Sequence, residues 1–315
     1  MRAHGLVILA LTGCNPLLGI GDPTLAPPDA STPSCRNGWT YHAPVIVENM
    51  SGVTLTDYQV MVTLDTQSLI AAGKLSADAR DLTFTSLDAE GPLALQIESG
   101  LNSRATVVWL SVPAIPPGDS SLAMYYGNAS AVAATRSPFV DGIITNPSFE
   151  TFGGWTLDAN VGNTILAQAD TGWSTDGAAS LFMDEEVNGD RTTSLYTTLV
   201  QNVTFPEGAD YVIRLDLEVL AASNGGPSDS ADFFIDLGKG LDYVWQLGAP
   251  QNITGLHLEN ETIPFGPGSV PLAIGVTVSP GHDHGYAKGY FDNLRVRKHV
   301  SPEPVAQVGA EAPCP

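Results

Sequence analysis

The stretch Tyr211-Val-Ile-Arg-Leu-Asp-Leu-Glu-Val-Leu220 decides the fold class. Tyr211, Ile213, Leu215, Leu217 and Val219 fall on one side of a two-residue period; Arg214, Asp216 and Glu218 fall on the other. Side chains of a strand point alternately to opposite faces, so this run is one long half-buried strand and not a helix with an apolar stripe. The same pattern extends outward. Ser194 to Thr204, Ala231 to Leu237, Ile253 to Ile263, Val270 to Val278 and Gly289 to Val296 are further strands. Upstream, Tyr58, Val60, Val62 and Leu64 alternate with Gln59, Met61 and Thr63, and Leu93, Leu95 and Ile97 repeat the pattern. Leu122, Met124 and Tyr126 form another run. Thr106 to Val112 is rich in β-branched and aromatic residues, as a central strand is. Only Ser68 to Leu75 offers a short helix. The expectation is an all-β chain of two antiparallel, jelly-roll-like β-sandwich domains.

The 315 residues suit two compact units. Gly (32) and Pro (23) are abundant and charged residues are only 15%, which favours short strands and tight turns over charged helices. A net charge of −21 repels nucleic acid and anionic headgroups and suits divalent cations and neutral ligands. Composition shifts divide the chain into a leader (1–13), a Pro-rich tether (14–34), two β-domains (35–135 and 136–300) and a tail (301–315).

The leader carries Arg2 and the apolar run Gly5-Leu-Val-Ile-Leu-Ala-Leu11, too short to span a bilayer. It ends in Leu11-Thr12-Gly13-Cys14, which resembles the lipobox of bacterial lipoproteins. The resemblance implies lipidation of Cys14 and attachment to the cell envelope, in the outer membrane or at the cell surface. The alternative is an ordinary secretory signal peptide with an incidental Cys14.

Trp39-x-Tyr41, Asn49-x-Ser51-Gly52, Asp57-Tyr58-Gln59-Val60, Asp81-Leu82-x-Phe84, Trp109-x-x-Val112-Pro113 and Tyr125-Tyr126-Gly127-Asn128 resemble the domain of unknown function 2341 family, over about residues 36–135. Thr83 departs from the Arg expected there. That family implies an extracellular module and no reaction. Asn146-Pro-Ser-Phe-Glu150, Gly154-Trp155, Gly177-x-x-Ser180-Leu181, Gln201-x-Val203, Tyr211 and Phe291-Asp292-Asn293-Leu294 resemble family 4/9-type carbohydrate-binding modules and galactose-binding-like jelly rolls, over about 143–298. This second resemblance implies a structural calcium ion held by Glu150 and Asp292, and a glycan or other cell-surface polymer as partner. Calcium takes six to eight hard oxygens, which strand-end carboxylates and turn carbonyls supply. Ordinary surface acids remain the alternative.

Sugars stack on aromatic faces, with polar groups fixing the hydroxyls. Trp173, Tyr243, Trp245, Tyr286 and Tyr290 lie in or beside polar, Gly-rich stretches and are the candidates; Phe149 and Trp155 suit the core. Tyr243 and Trp245, two residues apart, are expected on one strand face. No nucleophile elbow, zinc helix or phosphate loop occurs in the chain. Gly281-His282-Asp283-His284-Gly285 reads as a solvated loop, because a metal there needs a third ligand from elsewhere. Asp57, Asp65, Asp78, Asp81 and Asp88, and likewise Asp216, Glu218, Asp232 and Asp236, read as solvated acids. The reading is therefore a non-catalytic binding protein. Its rivals are a purely structural envelope protein and a glycan hydrolase with paired carboxylates. With Cys14 lipidated, Cys35 and Cys314 remain in an oxidising compartment, which favours a disulfide closing the two ends of the folded region. The alternative leaves Cys314 free or paired between molecules. Val305-Ala-Gln-Val308 in the tail can add an edge strand.

Overall fold

A computed structural model describes residues 33–86, 91–133, 137–139, 143–159, 164–188, 195–223, 231–236, 241–247, 253–278 and 284–315. Cys14, the tether up to residue 32 and Asp88 lie outside these residues, as do His282 and Asp283. Among the described residues no helix is long and apolar enough to cross a membrane.

The first unit packs two antiparallel sheets. One runs β17 (Val305–Val308), β1 (Tyr41–Asn49), β6 (Gly118–Tyr126), β3 (Thr83–Ser86), with β18 (Ala312–Pro313) also paired to β1. The other runs β2 (Leu55–Leu64), β5 (Thr106–Ile115), β4 (Leu95–Ser99), so the β-branched run is its central strand. Alternation sorts β2 as expected: Tyr58, Val60, Val62 and Leu64 are buried, while Met61 is 48% exposed. Helix α1 (Thr66–Ala71) starts where the Asp65 side chain accepts the Ser68 N–H at 2.8 Å. It stops at Gly73, whose φ of +66° is the left-handed conformation that favours glycine. Asp57, Asp65 and Asp78 are exposed, but Asp81 is buried. The Asp81 carboxylate is turned inward to accept the Ser76 N–H at 2.9 Å and the Ser76 hydroxyl.

The second unit packs sheet β13 (Leu241–Leu247), β12 (Ala231–Asp236), β15 (Gly268–Val278), β10 (Leu195–Phe205), β7 (Thr156–Ala159) against a second sheet. That sheet runs β14 (Ile253–Phe265), β11 (Ala209–Ser223), β16 (His284–His299), β9 (Ser180–Asn188), β8 (Thr164–Asp170). All the strand pairs are antiparallel. Tyr211, Ile213, Leu215, Leu217 and Val219 of β11 are at most 1% exposed and face the inner layer. Along β16 the inward residues change parity, from Ala287 and Phe291 to Leu294 and Val296, across a register shift opposite Arg214 and Asp216. That irregularity re-aims the residues between them, Asp292 and Asn293.

The tail returns to the first unit. Val305–Val308 pairs with Val45–Glu48, and Cys314 is disulfide-bonded to Cys35 with Cα atoms 5.4 Å apart. The two units also touch directly. Lys298 N–H donates to Gln59 Oε1 at 2.9 Å, Lys298 Nζ donates to Thr56 O at 2.7 Å, and Arg214 pairs with Glu98. This contact buries Gln59, which the β2 alternation alone points outward.

Candidate functional site

The opening and closing motifs of the second unit meet. Asn146 and Phe149 have left-handed backbones (φ 49° and 52°), and Phe149 N–H returns to Asn146 O at 3.2 Å. This tight turn drives the Phe149 ring into the core against Trp155, with centroids 5.4 Å apart, and leaves Glu150 pointing outward. Leu294 N–H donates to Pro147 O at 2.9 Å, which ties the first motif to the last.

Both motifs then grip one loop, residues 171–179. Glu150 Oε1 accepts the Ala178 and Ala179 N–H groups at 2.7 and 2.9 Å. Asp292 Oδ2 accepts those of Thr175 and Asp176 at 2.6 and 2.9 Å, and Oδ1 accepts that of Asn293 at 2.7 Å. Gly177 allows the grip: its φ is +85°, and a Cβ there would run into Glu150 Oε1. Burial pushes the Asp292 carboxyl up to about 6; the three N–H donors oppose the rise, and the Asp176 charge adds to it.

Two further acids read as solvated, besides Asp81, are buried. Asp216 is 2% exposed because the same loop roofs it, its Oδ2 accepting from Thr175 Oγ1 at 2.6 Å and from Asn293 Nδ2 at 2.8 Å. Asp232 is equally buried, on a strand flanked on both sides by β13 and β15.

Glu150 and Asp292 therefore act on one loop, but three of their oxygens already accept N–H bonds. Among the described residues, Cys35, His42 and Cys314 alone form a trio of His, Cys or acidic ligand atoms within 4.8 Å of one another. One observation does fit a hard cation. Asn293 Oδ1, beside Asp292 and Asp216, is a buried acceptor with no hydrogen bond.

Beyond the loop the outer face of the β8–β9–β16 layer is partly open. Tyr290 pairs across to Phe182, and Phe182 across to Gln168, giving a row of three side chains. The Tyr290 ring lies 5.1 Å from Phe182 and 6.1 Å from Trp173. Lys288 extends the row: its Nζ sits 5.1 Å from the Phe182 ring centroid and 3.2 Å from Asp184. Tyr286 follows, two residues along the same face. Trp173, Tyr286 and Tyr290 are half-buried. Asp170 Oδ1 accepts the Tyr290 hydroxyl at 3.3 Å and the Gly172 N–H at 2.7 Å. Burial, and then the Asp170 charge, raise the Tyr290 pKa.

The structure thus divides the five aromatic candidates. Trp173, Tyr286 and Tyr290 share one face, whereas Tyr243 and Trp245 stand on β13, the edge strand of the other sheet. Tyr243 and Trp245 pair with the consecutive residues Phe234 and Phe233 across a bulge that interrupts the two-residue alternation; their side chains lie outside the described set. Phe182, Lys288, Asp170 and Gln168 are additions the sequence reading missed. The available signal was Phe182 standing between the inward residues Leu181 and Met183. Of the histidines, His299 ends β16 beside Glu303, while the His257 and His284 side chains lie outside the described residues.

The carbohydrate-binding module TmCBM61, in complex with β-1,4-galactotriose, is similar to this chain at 16% identity, covering 50% of this chain and 98% of that one, with a TM-score of 0.34. A structure of carbohydrate-binding modules from the β-sandwich superfamily is similar at 14% identity, covering 84% and 100%, with a TM-score of 0.30. The enzymatically active domain of bacteriophage CBA120 tailspike protein 4 is similar at 16% identity, covering 50% and 21%, with a TM-score of 0.29. Scores this low leave the architecture to be read from the strands themselves. No curated protein matches the chain. The family described as "Domain of unknown function (DUF2341)" matches residues 78–176. The match begins and ends later than the 36–135 expected, and carries this family's pattern from the end of the first helix region across the linker to the loop that Glu150 and Asp292 hold.

Proposed function

We propose that this chain is a non-catalytic glycan-binding protein of the bacterial cell envelope, anchored through lipid on Cys14. The observation that carries the reading is the half-open row Trp173–Tyr290–Phe182 with Lys288, Asp170 and Asp184 around it. Aromatic faces take the C–H side of a sugar ring, and a charged or amide group at the edge takes its hydroxyls. The location rests on Leu11-Thr12-Gly13-Cys14 after a short apolar run. A calcium ion at Glu150 and Asp292 belongs to the same reading, supported by the unbonded Asn293 Oδ1 beside them. Its role there is to fix the loop that carries Trp173.

A structural envelope protein without a small ligand is the second reading. It is favoured by one observation: Phe182 is only 6% exposed and the Tyr290 hydroxyl already has a partner in Asp170. A hydrolase is disfavoured because Asp216 and Asp292 lie sealed beneath the loop. A glycan array probed with the full chain, and with its Trp173→Ala and Tyr290→Ala variants, separates these. Binding reduced about tenfold or more in both variants, without release of reducing sugar, supports the proposal. An array with no signal favours the structural reading, and sugar release favours the hydrolase. Detergent partitioning of the full chain against Cys14→Ser tests the anchor; the anchor is lost as an idea if both forms stay aqueous.

A further inference from the structure

Where the two units meet, a cleft of about 250 Å³ opens between the outer face of β16 and the β4–β5 side of the first sandwich. We propose that this cleft binds a small monocarboxylate of about the size of one uronic-acid sugar residue. It lies apart from the aromatic row and does not depend on it.

Two buried donors in the cleft, on Arg295 and Trp109, lack acceptors. Arg295, whose side chain is 8% exposed, lies over the Phe139 ring at 4.7 Å. The carboxylates nearest it, Glu98 and Asp176, stand 3.6 and 3.8 Å away, and its Nη1 makes no hydrogen bond to the protein. Trp109 forms another wall, and its buried indole N–H likewise has no acceptor. His299 Nδ1 is also buried there without a partner; with Nε2 turned to Glu303 at 3.5 Å it is the acceptor of the neutral ring and suits a hydroxyl of the occupant. Buried polar groups of native proteins are paired as a rule, and two buried donors without acceptors in one cavity ask for an occupant that brings lone pairs.

The remaining lining narrows the class. Arg297 is bonded to Glu303 at 2.6 Å and covers the Trp109 ring at 5.1 Å, and Arg214 is paired with Glu98, so neither guanidinium is idle. Glu98 and Glu303 also line the cleft and repel a doubly charged anion, which leaves a singly charged group. A carboxylate matches the planar fork of Arg295 and accepts from the indole as well. The apolar walls, Trp109, Phe139 and Met61, suit a carbon face behind that carboxylate. The volume falls below the roughly 300–1,000 Å³ of drug-sized sites, so the occupant is small.

Calorimetric titration of the full chain with sodium glucuronate, and with glucose as the neutral match, tests this. The expected result is saturable glucuronate binding, at least about tenfold weaker for glucose and for Trp109→Phe, which keeps an aromatic, though smaller, wall and deletes the donor. Arg295→Gln is expected to lose binding likewise. Tyr290→Ala is expected to bind glucuronate as the parent does. Urea midpoints of the variants establish that they fold, and Trp109→Phe keeps the test decisive if Arg295→Gln does not. No glucuronate heat from folded parent overturns the proposal. So does equal binding of glucose, undiminished binding by Trp109→Phe, or loss of binding in Tyr290→Ala.

Discussion

Glu311 shows how much of the assembly hangs on single residues. Its carboxylate accepts from the Tyr126 hydroxyl and from Lys74 Nζ, which holds the tail beside β6. Burial pushes this carboxyl up, but the bonds from Lys74 and Tyr126 outweigh that and hold it below its ordinary value. A carboxyl depressed in the folded state contributes stability above its unfolded pKa and loses it as pH falls through the folded one. Glu311→Gln is therefore expected to cost about 1–2 kcal/mol at pH 7, with the gap to wild type closing in acid below about pH 4.5. Urea unfolding of both proteins at pH 7 and pH 3.5 checks it; a gap unchanged by acid contradicts the assignment. At the other unit, Gly177→Ala meets both a left-handed backbone and the Glu150 carboxylate. The conformation alone costs about 1–3 kcal/mol. Hydrogen exchange is expected to show the Ala178 and Ala179 amides losing protection in this variant; unchanged protection would mean the grip by Glu150 is not as described.

The 171–179 loop is the element that joins the ends of the second unit, and it is where a calcium ion makes its clearest prediction. A cation that binds only the native state adds RT ln(1 + [Ca]/Kd), about 2.7 kcal/mol at a hundredfold excess over Kd. The melting midpoint of the full chain is expected to rise with calcium and to fall back with chelator, and the rise is expected to vanish in Asp292→Asn. Equal midpoints with calcium and chelator remove the ion from the site. The strands were legible in the sequence because strand patterning is local: β2, β10, β11, β12, β14, β15 and β16 stand where it puts them, β5 where its β-branched and aromatic composition does, and the tail strand β17 at the edge expected of it. What was not legible is what covers a strand's outer face. Asp216 belongs to the outward set of β11 and is buried all the same, because a loop some forty residues earlier folds over it. Gln59 is buried in the same way by β16. The aromatic candidates could not be sorted for a related reason: strand order, not sequence distance, decides that Trp173 meets Tyr290 while β13 lies in the opposite sheet. The arginine cleft draws on Trp109, Phe139, Arg214 and Arg295, from segments that no local pattern connects.

At the scale of the molecule, the second unit is an excursion between β6 and β17 of the first. The chain leaves one sandwich, builds another, and comes back to complete the sheet it left, with the Cys35–Cys314 bond as the last closure. The sequence separation of 279 between the two cysteines puts the chain-entropy contribution of that bond at roughly 5 kcal/mol, an upper figure because denatured-state structure reduces it. Paired Cys35→Ser and Cys314→Ser substitution is expected to lower the urea midpoint relative to the oxidised wild type and to match the wild type reduced before unfolding; a midpoint equal to that of the oxidised wild type would show that the bond contributes nothing. The bond has a further consequence when a protease nicks the chain. A single peptide cut anywhere between Cys35 and Cys314, whether in the linker or in a loop of the second unit, liberates no fragment. Both pieces stay covalently one body. Brief trypsin digestion is expected to give one band on a non-reducing gel and two on a reducing one, and a shed fragment without reductant would show that the ring is open.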